Sequence, residues 1–274
     1  MNFRTRWQLR VFAAAFVCIS PVAAAQEAKT EAATETKVAP SSGILSDVKD
    51  YFTAPIRWDS QDWIYFGGTV AAIAVTHHYD DQVRRHFTTG QYASNLTSPN
   101  SHDLQDAAPA VAVVGATYLY AVLIRDSNGL HETGEMLEAG GLAAASGYLM
   151  KYAFGRQGPY ETDNSSKFFA GGSSFPSVHS TAAFAIGTVL AESGNDDERW
   201  IRRVLGYGLG AFTSYERLRH NAHWLSDTVA GAGLGIATAH FVMNRHGPQT
   251  YVGHIGIVPI QGGAMLTYST TLPP

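Results

Sequence analysis

The sequence predicts an all-α fold, a bundle of five to six helices that is followed by a short C-terminal β-hairpin. Apolar residues recur at three- and four-residue steps in runs of helical length, and Gly, Pro and Asn separate these runs. A hydrophobic content of 45% over 274 residues is enough to bury one sizeable core. The predicted helices span residues 63–76, 107–124, 136–154, 177–192, 200–215 and 223–243.

The pattern changes at the C-terminus, where the segments VGHIGIVPI and AMLTYST alternate between apolar and small or polar residues. Such alternation is typical of strands, and the glycines at 262 and 263 mark a turn between them. Residues 248–274 are therefore predicted to form a hairpin tail after a helical domain that spans residues 44–247.

The first 25 residues have the order of a secretory signal peptide. Three arginines precede a short apolar run, and three alanines at 23–25 close the segment. The run is short for a hydrocarbon core of about 30 Å, although an uncleaved membrane anchor stays an alternative. We expect residues 1–25 to direct export, to the periplasm or to a membrane, and the polar residues 26–43 to form a disordered linker.

The charge balance excludes one class of partner. Without the three arginines of the first 25 residues, 16 basic residues stand against 23 acidic ones, a net charge of about −7. Nucleic-acid binding requires a basic surface, so we expect no nucleic-acid partner. The single cysteine, Cys18, lies in the predicted signal peptide, so the remaining chain has no thiol or disulfide chemistry.

Residues 107–124 are the segment that bears on whether the bundle lies in water or in a membrane. They form an uncharged run of membrane-spanning length, but they are largely Ala, Gly, Thr and Tyr, which contribute little to insertion. The composition favours a bundle in water, while a membrane-embedded one or a membrane surface as partner stays open. The oligomeric state is not predicted.

Two segments place candidate catalytic groups near helix N-termini. Pro176 and Ser177 precede a long apolar helix, where unpaired N–H groups suit an anion and where His179 could donate a proton. His223 and Asp227 lie one helical turn apart, about 5–6 Å at the Cβ atoms, so that the carboxylate could orient the imidazole. Simple helix capping and a surface His/Asp pair are the alternatives.

Two further groups have less specific patterns. Lys151 and Arg156 end the helix 136–154, where they could complement its negative end or reach a phosphate. The segment THHYDD at residues 76–81 favours a polar helix end over a metal site, because adjacent helical residues point in different directions.

Together these segments resemble the type 2 phosphatidic acid phosphatase (PAP2) superfamily, which includes class A acid phosphatases and vanadium haloperoxidases. That superfamily has three ordered blocks, K-x6-R-P, P-S-G-H and S-R-x5-H-x3-D. The matching residues are Lys151 and Pro159 in the first block, Pro176, Ser177 and His179 in the second, and Arg217, His223 and Asp227 in the third. Three blocks in order are a specific signal.

The resemblance implies a helical PAP2 fold and a phosphatase without metal or cofactor. His223 would attack phosphorus to form a phosphohistidine, Asp227 would orient it, and His179 would protonate the leaving oxygen. The phosphate oxygens would be held by Lys151, Arg217, Ser177 and the backbone N–H at Val178. Arg217 would lie in the loop before the last helix, with Arg219 and His220 at the entrance or in solvent. The implied substrate is a lipid phosphate or pyrophosphate, or a small phosphate ester.

The chain departs from the blocks at three positions. Gly158 replaces an arginine, Val178 replaces a glycine and Glu216, which we expect near the pocket, replaces a serine. We expect Arg156 to reach the phosphate oxygen that the missing arginine would bind. These departures keep two alternatives open, a catalytically weakened or inactive phosphate- or lipid-binding homologue and a haloperoxidase with vanadate as its cofactor.

Overall fold

The computed structural model describes residues 44–89, 102–194, 199–246, 253–260 and 263–270. The predicted signal peptide and linker lie outside these residues. The chain divides into two compact units between His78 and Tyr79, and each unit is described here by itself.

The first unit contains helix α1 (Ile44–Thr53), a 3₁₀ helix (Ala54–Arg57) and helix α2 (Ser60–His77). Asp59 begins α2 with a capping box. Its carboxylate accepts from the N–H groups of Gln61 at 2.8 Å and Asp62 at 3.0 Å, and its own N–H donates to the Asp62 carboxylate at 3.1 Å. This cap explains why α2 starts ahead of the apolar run.

The described part of the second unit contains six helices and two strands. The helices are α3 (Asp80–Thr88), α4 (Asp103–Ile124), α5 (Ser127–Phe154), α6 (Val178–Glu192), α7 (Arg199–Arg219) and α8 (Leu225–His246). The strands β1 (Gly253–Ile260) and β2 (Gly263–Thr270) pair antiparallel, with Gly253 opposite Thr270 and Ile260 opposite Gly263.

The described residues form eight α-helices, so the predicted count of five to six is wrong, while the all-α class is correct for the bundle. The two helices that the pattern did not indicate are α1, with 10 residues, and α3, with 9. Both are shorter than the window over which helical periodicity can be recognised.

Helix α5 also begins earlier than predicted, at Ser127. The Asp126 side chain accepts from the N–H of Asn128 at 3.0 Å and so caps the helix. Glu132, Thr133 and Glu135 are buried in its first half, where polar residues interrupt the apolar pattern. Because these buried side chains are polar, the apolar pattern of the sequence did not indicate where α5 begins.

Helix α6 is central, because it packs against α5, α7 and α8. The core around it consists mostly of small side chains, and several alanines are fully buried. At the α6–α7 contact a Cβ atom on Gly187 would lie 2.1 Å from the carbonyl oxygen of Gly206, and one on Gly206 would lie 2.0 Å from that of Gly187. The two backbones touch here, so only glycine fits at either position.

Helix α4 is the one described helix that is long and apolar enough, by length and composition, to cross a membrane. It has 22 residues, and an 18-residue stretch within it has a mean hydropathy of 1.9, of which only 11% is buried. Val111, Leu119 and Leu123 are among its exposed apolar side chains.

Candidate active site

A cavity of about 420 Å³ opens where α5 and α7 end and α4 and α6 begin. It brings together groups that are far apart in the sequence. The chemically active side chains that line it are Lys151, His179, Arg217 and His223, together with Asp103, Ser174 and the tyrosines Tyr148, Tyr152 and Tyr160. All three sequence blocks therefore meet at one place.

His223 lies just before α8 and is held through one ring nitrogen. Its Nδ1 is 3.4 Å from Oδ2 of Asp227 and 3.5 Å from the hydroxyl of Ser174. With Nδ1 directed to the carboxylate, Nε2 is the nitrogen left for a substrate. Burial lowers the pKa of His223 to about 3, against the opposing effect of Asp227, so the ring is neutral at physiological pH.

Asp227 is fully buried in the first turn of α8. Its Oδ2 accepts from the N–H of Trp224 at 2.9 Å and from the hydroxyl of Ser174. Burial alone would raise the pKa of Asp227, but the hydrogen bond from His223 and the charge of Arg156 outweigh it, and the pKa is lowered. The carboxylate is thus an ionised, fixed partner of His223.

The N-terminus of α6 forms one wall of the cavity, as predicted, but Ser177 has a different task. Ser177 is fully buried at the N-cap, and its hydroxyl accepts from the N–H of Ser180 at 3.4 Å and from the Ser180 hydroxyl at 3.0 Å. The cavity is lined instead by Val178 and His179, in the first turn, where backbone N–H groups lack helical partners. Ser177 therefore shapes this turn, and the backbone faces the cavity.

His179 contacts the start of α4. Its Nε2 is 3.2 Å from the carbonyl oxygen of Asp103. Burial, and after it the charge of Arg217, lowers the pKa of His179, while Asp103 and Asp106 oppose the shift. A bound phosphate would add negative charge beside the ring and favour the protonated form.

Lys151 lies in the last turn of α5, where its ammonium group donates to the carbonyl oxygen of Ser173. Burial lowers the pKa of Lys151 to about 8, and the charge of Asp227 opposes this shift. The side chain is therefore a cation at neutral pH with a proton that is more easily lost than in water.

Arg217 lies in the last turn of α7 and not in a loop, which corrects the prediction. One terminal nitrogen, Nη1, donates to Asp103 at 2.8 Å and to Asp106 at 2.7 Å. Its Nε is buried and has no hydrogen-bond partner among the described residues. Two carboxylates thus fix the guanidinium of Arg217, whose side chain lines the cavity.

The structure does not place Arg156 where the sequence predicted it. Its side chain is fully buried behind His223 and pairs with Asp80 at 2.7 Å and Asp227 at 2.5 Å. Removing one partner of such a buried pair costs about 3–5 kcal/mol, so Arg156 cannot move out to a phosphate. It does not compensate for Gly158.

Among the residues that the structure describes, no side chain replaces the missing arginine at Gly158. A Cβ atom there would lie 2.8 Å from the ring of Tyr160, which lines the cavity. Apart from the two histidines, the described residues around the cavity provide two cationic side chains, Lys151 and Arg217. The described part of the site therefore has one guanidinium fewer than the block pattern.

Glu216 does not line the cavity. It pairs with Arg219 at 3.2 Å and lies 3.6 Å from His220. His220 is buried against Asp106 at 3.3 Å, so the expectation that it faces the entrance or solvent is wrong. Asp106 is one of the two carboxylates that bind Arg217, and His220 lies between it and Glu216. These pairs account for the close grouping of Asp106, Glu216 and His220.

Four residues at the site were not predicted from the sequence. Asp80 in THHYDD is fully buried against Arg156, Ser174 binds Asp227, and Asp103 and Asp106 hold Arg217. Asp103 and Asp106 look like the acidic residues that commonly begin a helix, and Asp80 looks like a polar helix end. Only their contacts with distant segments distinguish them.

Comparison with known proteins agrees with the three blocks. Residues 134–251 match the family model of the PAP2 superfamily. This region, which contains all three blocks, is the part of the chain that is similar to the PAP2 superfamily. The PAP2 region contains Lys151, His179, Arg217 and His223, whereas Asp80, Asp103 and Asp106 precede it.

One relative is named for an enzymatic activity. Over 173 residues this chain is 30% identical to a Porphyromonas gingivalis protein named lipid A 1-phosphatase. The alignment covers 61% of this chain and 35% of the relative, so the chain spans about a third of that protein's length. No solved structure matches the chain.

Proposed function

We propose that this chain is an exported phosphatase that hydrolyses a lipid phosphate or pyrophosphate, or a small phosphate ester, through His223. The observation that carries the proposal is that His223, held by buried Asp227, lines the same cavity as Lys151, Arg217 and His179. The relative named lipid A 1-phosphatase supports a phosphorylated lipid as the substrate. Export through residues 1–25 stays a prediction from the sequence.

The phosphate group would be held by positive charge from three elements. Lys151, Arg217 and the first turn of α6, at Val178 and His179, line the cavity. Transition-state charge in phosphoryl transfer is spread over the equatorial oxygens, which such donors stabilise. Because these groups supply the charge, we propose a reaction that needs no metal.

The reaction would proceed in two displacements. Neutral His223 attacks phosphorus through Nε2, the bond to the leaving oxygen breaks, and His179 gives that oxygen its proton. The phosphorylated ring is cationic and is stabilised by Asp227. Water then attacks phosphorus, His179 takes the proton of the water, and the P–N bond breaks to restore His223.

The surroundings of the cavity support a lipid substrate. Tyr148, Tyr152 and Tyr160 line it and are 57%, 89% and 49% exposed. Tyrosine is enriched where protein meets both apolar lipid and water, because its ring is apolar and its hydroxyl is polar. With the exposed apolar residues of α4, these rings support action at a membrane surface.

The direct test is phosphate release by the purified protein, with a chelator present, from a lipid phosphate, a lipid pyrophosphate and an aryl phosphate. We expect the protein to release phosphate from at least one of these substrates, at a rate that the chelator does not reduce. No release from any would contradict the proposal. Binding without turnover would favour a phosphate-binding homologue, and bromide oxidation by peroxide with vanadate would favour a haloperoxidase.

Lys151 predicts a basic limit to the activity. Because burial lowers its pKa to about 8, Lys151 is charged below that pH and loses its charge as the pH rises through it. We expect kcat/KM, which reports the free enzyme, to fall above about pH 8. In Lys151→Arg the guanidinium stays charged, so the fall should move to higher pH. An unchanged basic limb in that variant would exclude Lys151 as its cause.

A further inference from the structure

A buried row of three charges lies behind His223. Arg156 stands between Asp227, 2.5 Å from its Nη1, and Asp80, 2.7 Å from its Nη2. All three side chains are 0% exposed. Asp80 begins α3 and Asp227 lies in the first turn of α8, so the row joins two helices that are distant in sequence.

The guanidinium of Arg156 is fixed in every direction. Besides the two carboxylates, it donates to the carbonyl oxygen of Ser165 through Nε at 3.0 Å and Nη2 at 2.6 Å, and to the Ser226 hydroxyl at 2.8 Å. The ring of Phe168 lies 4.7 Å from its central carbon. Its contact with Oδ1 of Asp227 leaves Oδ2 directed at His223.

Asp80 accepts hydrogen bonds from two residues. It accepts from the N–H of Ser226 at 2.8 Å and from the Ser226 hydroxyl at 2.7 Å, in addition to Arg156. Burial raises the pKa of Asp80, and the charge of Arg156 with the bonds from Ser226 opposes the shift. The same contacts hold the first turn of α8, which carries Asp227.

The charge count of this row matches the proposed chemistry. Two carboxylates and one guanidinium leave one net negative charge behind His223, and phosphorylation makes the ring of His223 a cation. Without Asp80, the positive charge of Arg156 would cancel the negative charge of Asp227, which is the charge that stabilises the phosphorylated ring of His223. Asp80 offsets Arg156, so Arg156 can clamp Asp227 without neutralising it.

We propose that Asp80 and Arg156 are positioning residues of the reaction, which hold Asp227 against His223 and preserve its negative charge. This inference rests on the proposed phosphatase activity. It explains why a fully buried arginine lies beside the His/Asp pair, and it makes α3, which precedes the PAP2 region, part of the catalytic apparatus.

The test compares Asp80→Asn, which removes the charge but little volume, with Glu132→Gln. Glu132 is a buried acid that pairs with Arg202 and does not line the cavity, so it is a matched control for loss of a buried ion pair. For Asp80→Asn we expect kcat to fall by about 10²-fold, the scale for a displaced catalytic group, with KM within about twofold. Glu132→Gln should keep kcat even where its melting temperature falls.

Vanadate is a phosphate analogue, so its binding to each variant shows whether the phosphate site in the cavity is intact. Arg156→Lys is the second variant, because an ammonium keeps the charge but cannot bridge both carboxylates, and it should lower kcat in the same way. Wild-type kcat in folded Asp80→Asn, or a loss of kcat in Glu132→Gln as large as that in Asp80→Asn, would overturn the proposal. So would failure of both variants to fold. An inactive wild-type protein would instead contradict the proposed function itself.

Discussion

Replacing His223 with alanine is expected to lower the rate of phosphate release by about 10⁴-fold or more. The residual rate is that of bound substrate without a nucleophilic side chain. His223 is the group that would bond to phosphorus, and no other described residue at the cavity has an imidazole held by a buried carboxylate. Without it the remaining groups can bind phosphate but cannot form the covalent intermediate. The measurement is kcat on the best substrate of the panel.

The control for this variant is His240→Ala. His240 is a histidine in α8, the helix that follows His223, and it does not line the cavity. We expect it to keep near wild-type kcat with unchanged vanadate binding. If His223→Ala retained activity within about tenfold of the wild type, the assignment of the nucleophile would be wrong.

Arg217→Ala is expected to lower kcat/KM by about 10²–10³-fold, the range found when one preorganised donor to transition-state charge is removed. The effect should lie at the upper end, because Gly158 provides no second guanidinium. The variant also leaves Asp103 and Asp106 without their cation, which adds repulsion against phosphate. Inhibition by inorganic phosphate should weaken in parallel.

Arg203→Ala on the same helix separates charge at the site from charge in general. Arg203 pairs with Glu192 at 2.9 Å and does not line the cavity, so its removal should leave kcat/KM almost unchanged. Equal losses in the two arginine variants would mean that Arg217 acts through the stability of α7 and not through the phosphate.

The sequence predicted the parts of the site that depend on local spacing. Ser177 caps a helix where Pro176 and the following apolar run indicated one, and the four-residue step from His223 to Asp227 brought their side chains together. The sequence likewise predicted that Lys151 lies at the end of a helix, and the structure has it in the last turn of α5. Arg217 could be chosen over Arg219 only through the family blocks, since both lie near His223 in the sequence.

The parts that failed depend on contacts between distant segments. Arg156 looked available for phosphate, but Asp80, 76 residues away, holds it in the interior. Asp106 meets Arg217 across 111 residues, and neither partner has a local pattern that marks it. A buried charge is indistinguishable in sequence from a solvated one, because only its partner distinguishes them.

The stereochemical course at phosphorus tests the central proposal most directly. A substrate whose phosphate is made chiral with oxygen isotopes and sulfur is hydrolysed in isotopically labelled water, and the configuration of the product is determined. Attack by His223 followed by attack of water inverts phosphorus twice, so we predict net retention. Net inversion would show that water attacks the substrate directly, and it would contradict a phosphohistidine intermediate on His223.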